Sequence, residues 1–446
     1  MSERSDARAG VGTFVVAGRS LDPATGEAAF TYRLGEDEFT ERLTLDPSLL
    51  TGPVPFHASP ALDLVHLVMG TSYYKLAAPG RVVVEGAVTA AQLAVAQAAY
   101  TDGLGEFAAV NRLPVPHRVE FDAELWEPEQ AGTGGGRGAL LPVGGGKDSA
   151  LALVVIPDGT ALAINPTGAQ RDVARAAGVP LVEVRRRLDP LLAERTAQGG
   201  LNGHVPVTAI NSAISTLVAV LGGHGPVVFA NERSADEETL TIGGASVNHQ
   251  YSKSFAFEQL FAAAAAELGV GYFSLTRQLS ELATVAAVAA LPLRADILSC
   301  NRSYTQRHTG GQAEQRWCLH CDKCLFTFLC FAVFLRPAEA EGMFGGNPLA
   351  DPSLADGFRK LWATEKPFDC VGERAESAAA MAHLAASRSW GDAPVVRLLG
   401  AEAAAAAEVT GATVARFLAP RGGHAVPERY LEALRQVLAG SRSAVA

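Results

Sequence analysis

The residues with most chemical meaning lie in "LLPVGGGKDSAL", positions 140 to 151: three glycines, a lysine, an aspartate and a serine behind a short apolar run. Ala139, Leu140, Leu141 and Val143 read as a short buried strand, and the residues from Ser149 onward can open a helix. A strand, a glycine turn and a helix N-terminus form an anion site, because backbone N–H groups and the positive helix end converge on an oxyanion and Lys147 adds a full charge. Two familiar phosphate loops do not fit. A Walker A loop needs glycine where Leu141 stands and Ser or Thr where Asp148 stands, and the dinucleotide pattern begun at Gly144 needs glycine at Ser149. A carboxylate inside a phosphate loop repels nucleotide unless it binds a cation, so Asp148 suggests Mg²⁺ held against a polyphosphate.

Three further clusters carry chemistry. "WCLHCDKC" gives Cys318, Cys321 and Cys324 at C-x-x-C-x-x-C spacing, three thiolates able to converge on one ion, with Cys300 as a fourth ligand for tetrahedral, structural Zn²⁺. His320, Cys330 and Cys370 are less favoured alternatives, and an iron–sulfur site or reduced core cysteines stand as rival readings. "FANERSAD" follows an expected strand, so Asn231, Glu232, Arg233 and Ser234 should emerge at the sheet edge that carries the glycine loop; as a bland turn, it would use Ser234 or Asp236 as an N-cap. "VNHQYSKSFAFE" strings together Asn248, His249, Gln250, Tyr251, Ser252, Lys253 and Ser254, a mixture suited to a polar anionic substrate and also to a solvated loop.

The loop from Gly144 to Ser149 resembles the PP-loop of ATP pyrophosphatases, S-G-G-x-D-S, with glycine at 144 in place of the first serine. In combination with "NERSA", "NHQYSKSFAFE", "SCNRSY", "WCLHCDKC" and "FGGNPL", the stretch from Gly144 to Leu349 is similar to the MurL-type epimerases of peptidoglycan precursor synthesis. That resemblance implies a reaction in which ATP adenylates the terminal carboxylate of UDP-N-acetylmuramoyl-L-alanyl-L-glutamate, the α-centre inverts, and AMP and diphosphate leave. It also implies roles. Gly144, Gly145, Gly146 and Ser149 would donate to phosphates, Lys147 would offset their charge, Asp148 would hold Mg²⁺, and Glu232 and Asn231 would serve the metal or nucleotide. His249 and Lys253 are the candidates for substrate phosphate contact or proton transfer, with Tyr251 or the cysteines as alternative bases. Another PP-loop adenylating enzyme (an amide or nitrile former, or a tRNA-modifying enzyme) and a nucleotide-binding protein without turnover remain as rivals.

The elements that must position these groups follow from pattern. Residues 139–300 alternate strand and helix, which implies an α/β fold with a doubly wound parallel sheet and ligands at the carboxyl ends of its strands. Residues 1–130 read as a separate α+β unit, followed by a linker within "EPEQAGTGGGRG"; residues 301–446 read as the cysteine cluster and a mainly helical remainder. "SALALVVIP" is ambiguous by composition and is assigned to helix because the glycine loop must lead into one.

A net charge of −10 argues against nonspecific nucleic-acid binding, which needs a surplus of Lys and Arg. The first ten residues lack the apolar core of a signal peptide, and the longest apolar stretch, Cys324 to Leu335, is too short to span a bilayer. A soluble cytoplasmic protein with reduced cysteines is therefore expected. The sequence does not report oligomeric state.

Overall fold

The computed structural model describes residues 12–128, 136–304, 316–362, 367, 369 and 371–445. Cys370 and most of the glycine-rich stretch at 132–138 lie outside the described residues. Twelve strands are formed among them: β1 (Phe14–Asp22), β2 (Glu27–Leu34), β3 (Asp37–Thr44), β4 (Arg81–Val88), β5 (Glu120–Leu125), β6 (Leu140–Pro142), β7 (Thr160–Ile164), β8 (Leu181–Arg187), β9 (Val227–Phe229), β10 (Leu240–Ile242), β11 (Ala245–Val247) and β12 (Tyr272–Ser274).

Ten of these form one sheet in the order β12-β9-β6-β7-β8-β3-β2-β1-β4-β5, while β10 and β11 make a small hairpin. The sheet is mostly parallel: β12, β9, β6, β7 and β8 all run one way. It continues into the N-terminal strands through an antiparallel seam, where Arg42, Leu43 and Thr44 of β3 face Arg187, Arg186 and Arg185 of β8. Arg186 crosses that seam to form an ion pair with Glu41, a carboxylate with no exposed surface, and donates to Ser72 Oγ at 2.8 Å.

Helices cover both faces, and strand alternation explains why. Successive residues of a strand point to opposite faces. Leu141, Ala161, Ala163, Val228 and Phe273 enter one core, shared with the helices Lys147–Val155, Gly168–Ala177 and Glu281–Ala289 and with the C-terminal helices. Leu140, Leu162, Val227 and Tyr272 enter the other, shared with Ala58–Met69, Val207–Gly222 and Phe255–Glu267. The ambiguous "SALALVVIP" is helical through Val155, as the glycine loop requires. Most of the apolar run from Cys324, through Ala332, lies in a buried helix, Asp322–Ala332, and no described helix is long and apolar enough to cross a membrane.

Sheet order also fixes where a ligand can enter. From β6 the chain winds outward to β7 and β8 on one side, and later to β9 and β12 on the other. The order therefore reverses at β6, and such a reversal opens a crevice beyond the carboxyl ends of the strands. The glycine loop follows β6 directly.

Candidate functional site

The loop is shaped by close approaches that only glycine permits. Gly145 has φ +83°, and a Cβ there would lie 3.0 Å from the backbone carbon of Ala169, at the start of the helix Gly168–Ala177. At Gly146, the N-cap of the helix Lys147–Val155, a Cβ would lie 2.5 Å from Ser299 Oγ. Two hydrogen bonds close the turn: Gly144 N–H donates to Ser149 Oγ at 2.9 Å, and Leu298 N–H donates to Gly145 O at 2.9 Å. The second bond draws residues 298–300 over the loop.

A cavity of about 350 Å³ opens above it, lined by Gly144, Gly146, Asp148 and Ser149 from the loop, Asn231 and Glu232 after β9, Thr208 and Asn211 of the helix Val207–Gly222, and Ser299, Asn301, Lys253 and Lys323. Asn231 Nδ2 donates to Ser274 Oγ at 3.0 Å, which ties the ends of β9 and β12 together beside the cavity. The sequence-derived set of Gly144, Gly146, Asp148, Ser149, Asn231, Glu232 and Lys253 is thus gathered around one volume, with Gly145 forming the turn beneath.

Lys147 lies elsewhere. Its side chain is 2% exposed, and its Nζ donates to Asp148 at 2.6 and 2.7 Å and forms an ion pair with Glu281. Burial disfavours its charge, yet Asp148, Glu281 and Glu232 outweigh that cost and hold its pKa well above the usual lysine range. The ammonium therefore organises carboxylates below the cavity, while Lys253 and Lys323 are the lysines on its wall.

One oxygen from each of Asp148, Glu232 and Glu281 falls within 4.8 Å of the others. Burial pushes the Glu281 carboxyl well up and the neighbouring Glu232 charge adds to this, whereas Lys147 and Lys253 hold Glu232 down at about 2 despite its burial. Asp148 is raised, by burial and then by Glu232. Burial and mutual repulsion thus disfavour three negative charges here unless a further cation joins Lys147. Hard oxygen donors in this arrangement fit Mg²⁺. Glu281 was not found from sequence, where an acid opening a helix reads as favourable dipole placement; Lys323 was hidden between the cysteines.

Cys300, Cys318, Cys321 and Cys324 also converge, with their sulfurs within 4.8 Å of one another. Cys318 and Cys324 Sγ are 3.7 Å apart, and Cys321 N–H points to Cys318 Sγ at 3.4 Å. Four thiols in this cluster suit a tetrahedral soft-ligand ion. His320 is exposed and turns its Nδ1 to Cys318 O, and Cys330 is buried further along the helix. The cluster is coupled to the cavity through the chain itself: Ser299 precedes Cys300, and Lys323 stands between Cys321 and Cys324.

His249 is not part of the cavity wall. Its Nδ1 pairs with Glu106, from the short helix Gly105–Val110, and its ring lies 4.5 Å from that of His204. Asp236 accepts from Phe255 N–H at 2.7 Å and Ser254 caps the helix Phe255–Glu267, so part of each polar stretch serves helix initiation. Tyr251, the other candidate base, pairs with Asp102; burial and then that carboxylate raise its phenol to about 12.

Comparisons with known proteins cover nearly the whole chain. Residues 5–275 match the model of the MurL N-terminal domain and residues 296–414 that of the MurL C-terminal domain. Two relatives, both named UDP-N-acetyl-alpha-D-muramoyl-L-alanyl-L-glutamate epimerase, are 40% identical: one from Salinispora tropica over 95% of this chain and 96% of its own, one from a Micromonospora species over 94% and 96%. A third of the same name, from Xanthomonas oryzae pv. oryzae, is 36% identical over 95% and 97%. No solved structure matches. The chain belongs to the MurL family.

Proposed function

We propose that the chain is an ATP-dependent epimerase of the PP-loop type that inverts the terminal L-glutamate of UDP-N-acetylmuramoyl-L-alanyl-L-glutamate in peptidoglycan precursor synthesis, releasing AMP and diphosphate. The observation that carries this reading is the glycine loop at the sheet's reversal point, with Asp148, Glu232 and Glu281 gathered beside it. The relatives' shared name supplies the substrate.

The chemistry explains the need for ATP. The α-proton of a free glutamate is hard to remove because the resulting carbanion sits beside an existing negative charge. Adenylation neutralises the carboxylate and creates an acyl electron sink, so a modest base suffices; each ~1.36 kcal/mol gained is tenfold in rate. Backbone N–H groups of the loop would donate to the phosphates and Asp148, Glu232 and Glu281 would hold Mg²⁺, while Lys253 and Lys323 bring positive charge to the cavity wall. Bound Mg²⁺ supplies charge neutralisation for the polyphosphate. Cys300, Cys318, Cys321 and Cys324 would hold Zn²⁺ in a structural role, fixing the segments that carry Ser299 and Lys323. We assign the enzyme to the cytoplasm, acting on a soluble nucleotide-sugar peptide.

The test is diphosphate release with Mg-ATP alone and with the precursor, ammonia or RNA added. Release that depends on the precursor is the expected result; dependence on ammonia or RNA would favour an amide-forming or tRNA-modifying enzyme, and bound ATP without AMP under every condition would favour a binding protein.

A further inference from the structure

We propose that Glu106 is the positioning carboxylate for His249, and that this pair, with the tilted ring of His204 beside it, is the proton-transfer station of the epimerisation; the proposal rests on the ATP-dependent reading above. Three separate segments build the station: Glu106 from the helix Gly105–Val110, His204 from the loop before Val207–Gly222, and His249 from the turn after β11. His249 Nδ1–H donates to Glu106 Oε2, and His204 Nδ1 lies 3.8 Å from the same oxygen. All three side chains are mostly buried. A second hydrogen bond, from His249 N–H to Thr239 Oγ1 at 3.0 Å, fixes the backbone beneath the ring.

A carboxylate that accepts from Nδ1–H sets the imidazole tautomer, leaving the lone pair on Nε2, and stabilises the imidazolium formed when that nitrogen takes a proton. His204 does not compete for the carboxylate's charge. Burial, and then the neighbouring His249, pull its pKa to about 4, so it is neutral at pH 7.

The same three groups could be read as metal ligands. The direct hydrogen-bond contact between His249 and Glu106 favours the proton-transfer role, because it already engages the ring nitrogen and the carboxylate oxygen that a metal would need.

The chain links the station to the cavity, and Lys253 is close enough to act on the charge of His204. Lys253, four residues after His249, lines the cavity wall, and so does Thr208, four residues after His204. The chemistry balances with solvent as the second proton source. Nε2 of His249 takes the α-proton from the L centre, and the C–H pair becomes the enolate of the activated carboxyl. Water protonates the opposite face to give the D centre, the imidazolium's proton neutralises the hydroxide left behind, and a second water hydrolyses the acyl-adenylate to free the carboxylate and AMP. The N-terminal unit thereby contributes Glu106 to the chemistry.

The experiment uses the full chain in D₂O with Mg-ATP and precursor, and follows diphosphate release and deuterium at the glutamate α-carbon. Wild type should give both. In Glu106→Gln and His249→Gln the α-deuterium incorporated per diphosphate released should fall on the order of 100-fold, and Glu106→Asp should recover part of the loss. Wild-type deuteration in folded Glu106→Gln would overturn the proposal, as would equal loss of both readouts in Glu106→Gln, Glu106→Asp and His249→Gln. A metal ion bound in wild type and lost specifically in Glu106→Gln would also overturn it, in favour of a metal centre. Wild type that releases no precursor-dependent diphosphate would instead strike the underlying ATP-dependent reading.

Discussion

Lys147 and Glu281 form an ion pair with almost no solvent exposure, 2% and 0%, directly below the glycine loop. The pair links the loop's helix to the N-terminus of the helix Glu281–Ala289, so the acidic group and the loop are one unit. Removing one member leaves the other buried without its counterion, which costs about 3–5 kcal/mol. Lys147→Met should therefore lower stability by that amount in urea unfolding and abolish ATP binding. A Lys147→Met protein with unchanged unfolding midpoint and normal ATP affinity would show that the lysine organises nothing.

The glycines should respond unequally. Gly145→Ala forces a side chain into left-handed backbone and against Ala169, a combination that should cost about 1–3 kcal/mol and weaken ATP binding at least tenfold. Gly144 differs: the nearest atom to an added Cβ is Ser149 Oγ at 4.0 Å. Gly144→Ser, which restores the general PP-loop pattern, should change stability by no more than about 0.5 kcal/mol. Isothermal titration with ATP and urea unfolding of both variants check this.

Glu376 makes stability depend on pH. Burial, reinforced by Glu373 and opposed by the Leu282 N–H that donates to it at 2.7 Å, raises its carboxyl from 4.5 to about 7. Folding therefore favours the protonated form. The associated stabilisation is complete below pH 4.5 and is lost as pH rises through 7, a span on the order of 3 kcal/mol. Glu376→Gln keeps an acceptor for Leu282 N–H and carries no titrating proton, so unfolding from pH 4.5 to 8 should be flatter for the variant, which should be the more stable protein at pH 8. Parallel curves for the two proteins would contradict this.

The cysteine cluster should carry one zinc ion per chain by elemental analysis. Cys321→Ala should lose the metal and lower the melting temperature, while Cys330→Ala, outside the cluster, should retain it. Iron with inorganic sulfide would indicate the iron–sulfur reading; metal-free protein of normal stability would indicate plain thiols.

What the sequence made legible was local. The β6 strand, the glycine loop and the following helix are consecutive, so residue type and period were enough to define them. The alternation of Leu140 and Leu141 between two cores is the same period seen in space. The acidic group was only half readable, since Asp148 sits in the loop whereas Glu281 reaches it through tertiary packing. Glu106 and His249 are 143 residues apart, and neither neighbourhood announces the other. Lys147 was readable only in part: a lysine after a glycine turn suggests a phosphate contact, and tertiary packing adds its pairing with Asp148 and Glu281, which no local pattern announces. The seam between β3 and β8 was likewise invisible, because antiparallel pairing of distant strands leaves no local pattern.

The most direct measurement is the configuration of the terminal glutamate after the protein is incubated with Mg²⁺ and UDP-N-acetylmuramoyl-L-alanyl-L-glutamate, with and without ATP. The account predicts D-glutamate only when ATP is present, with AMP formed alongside; inversion that proceeds without ATP, or ATP cleaved to AMP with the glutamate left entirely L, would contradict it.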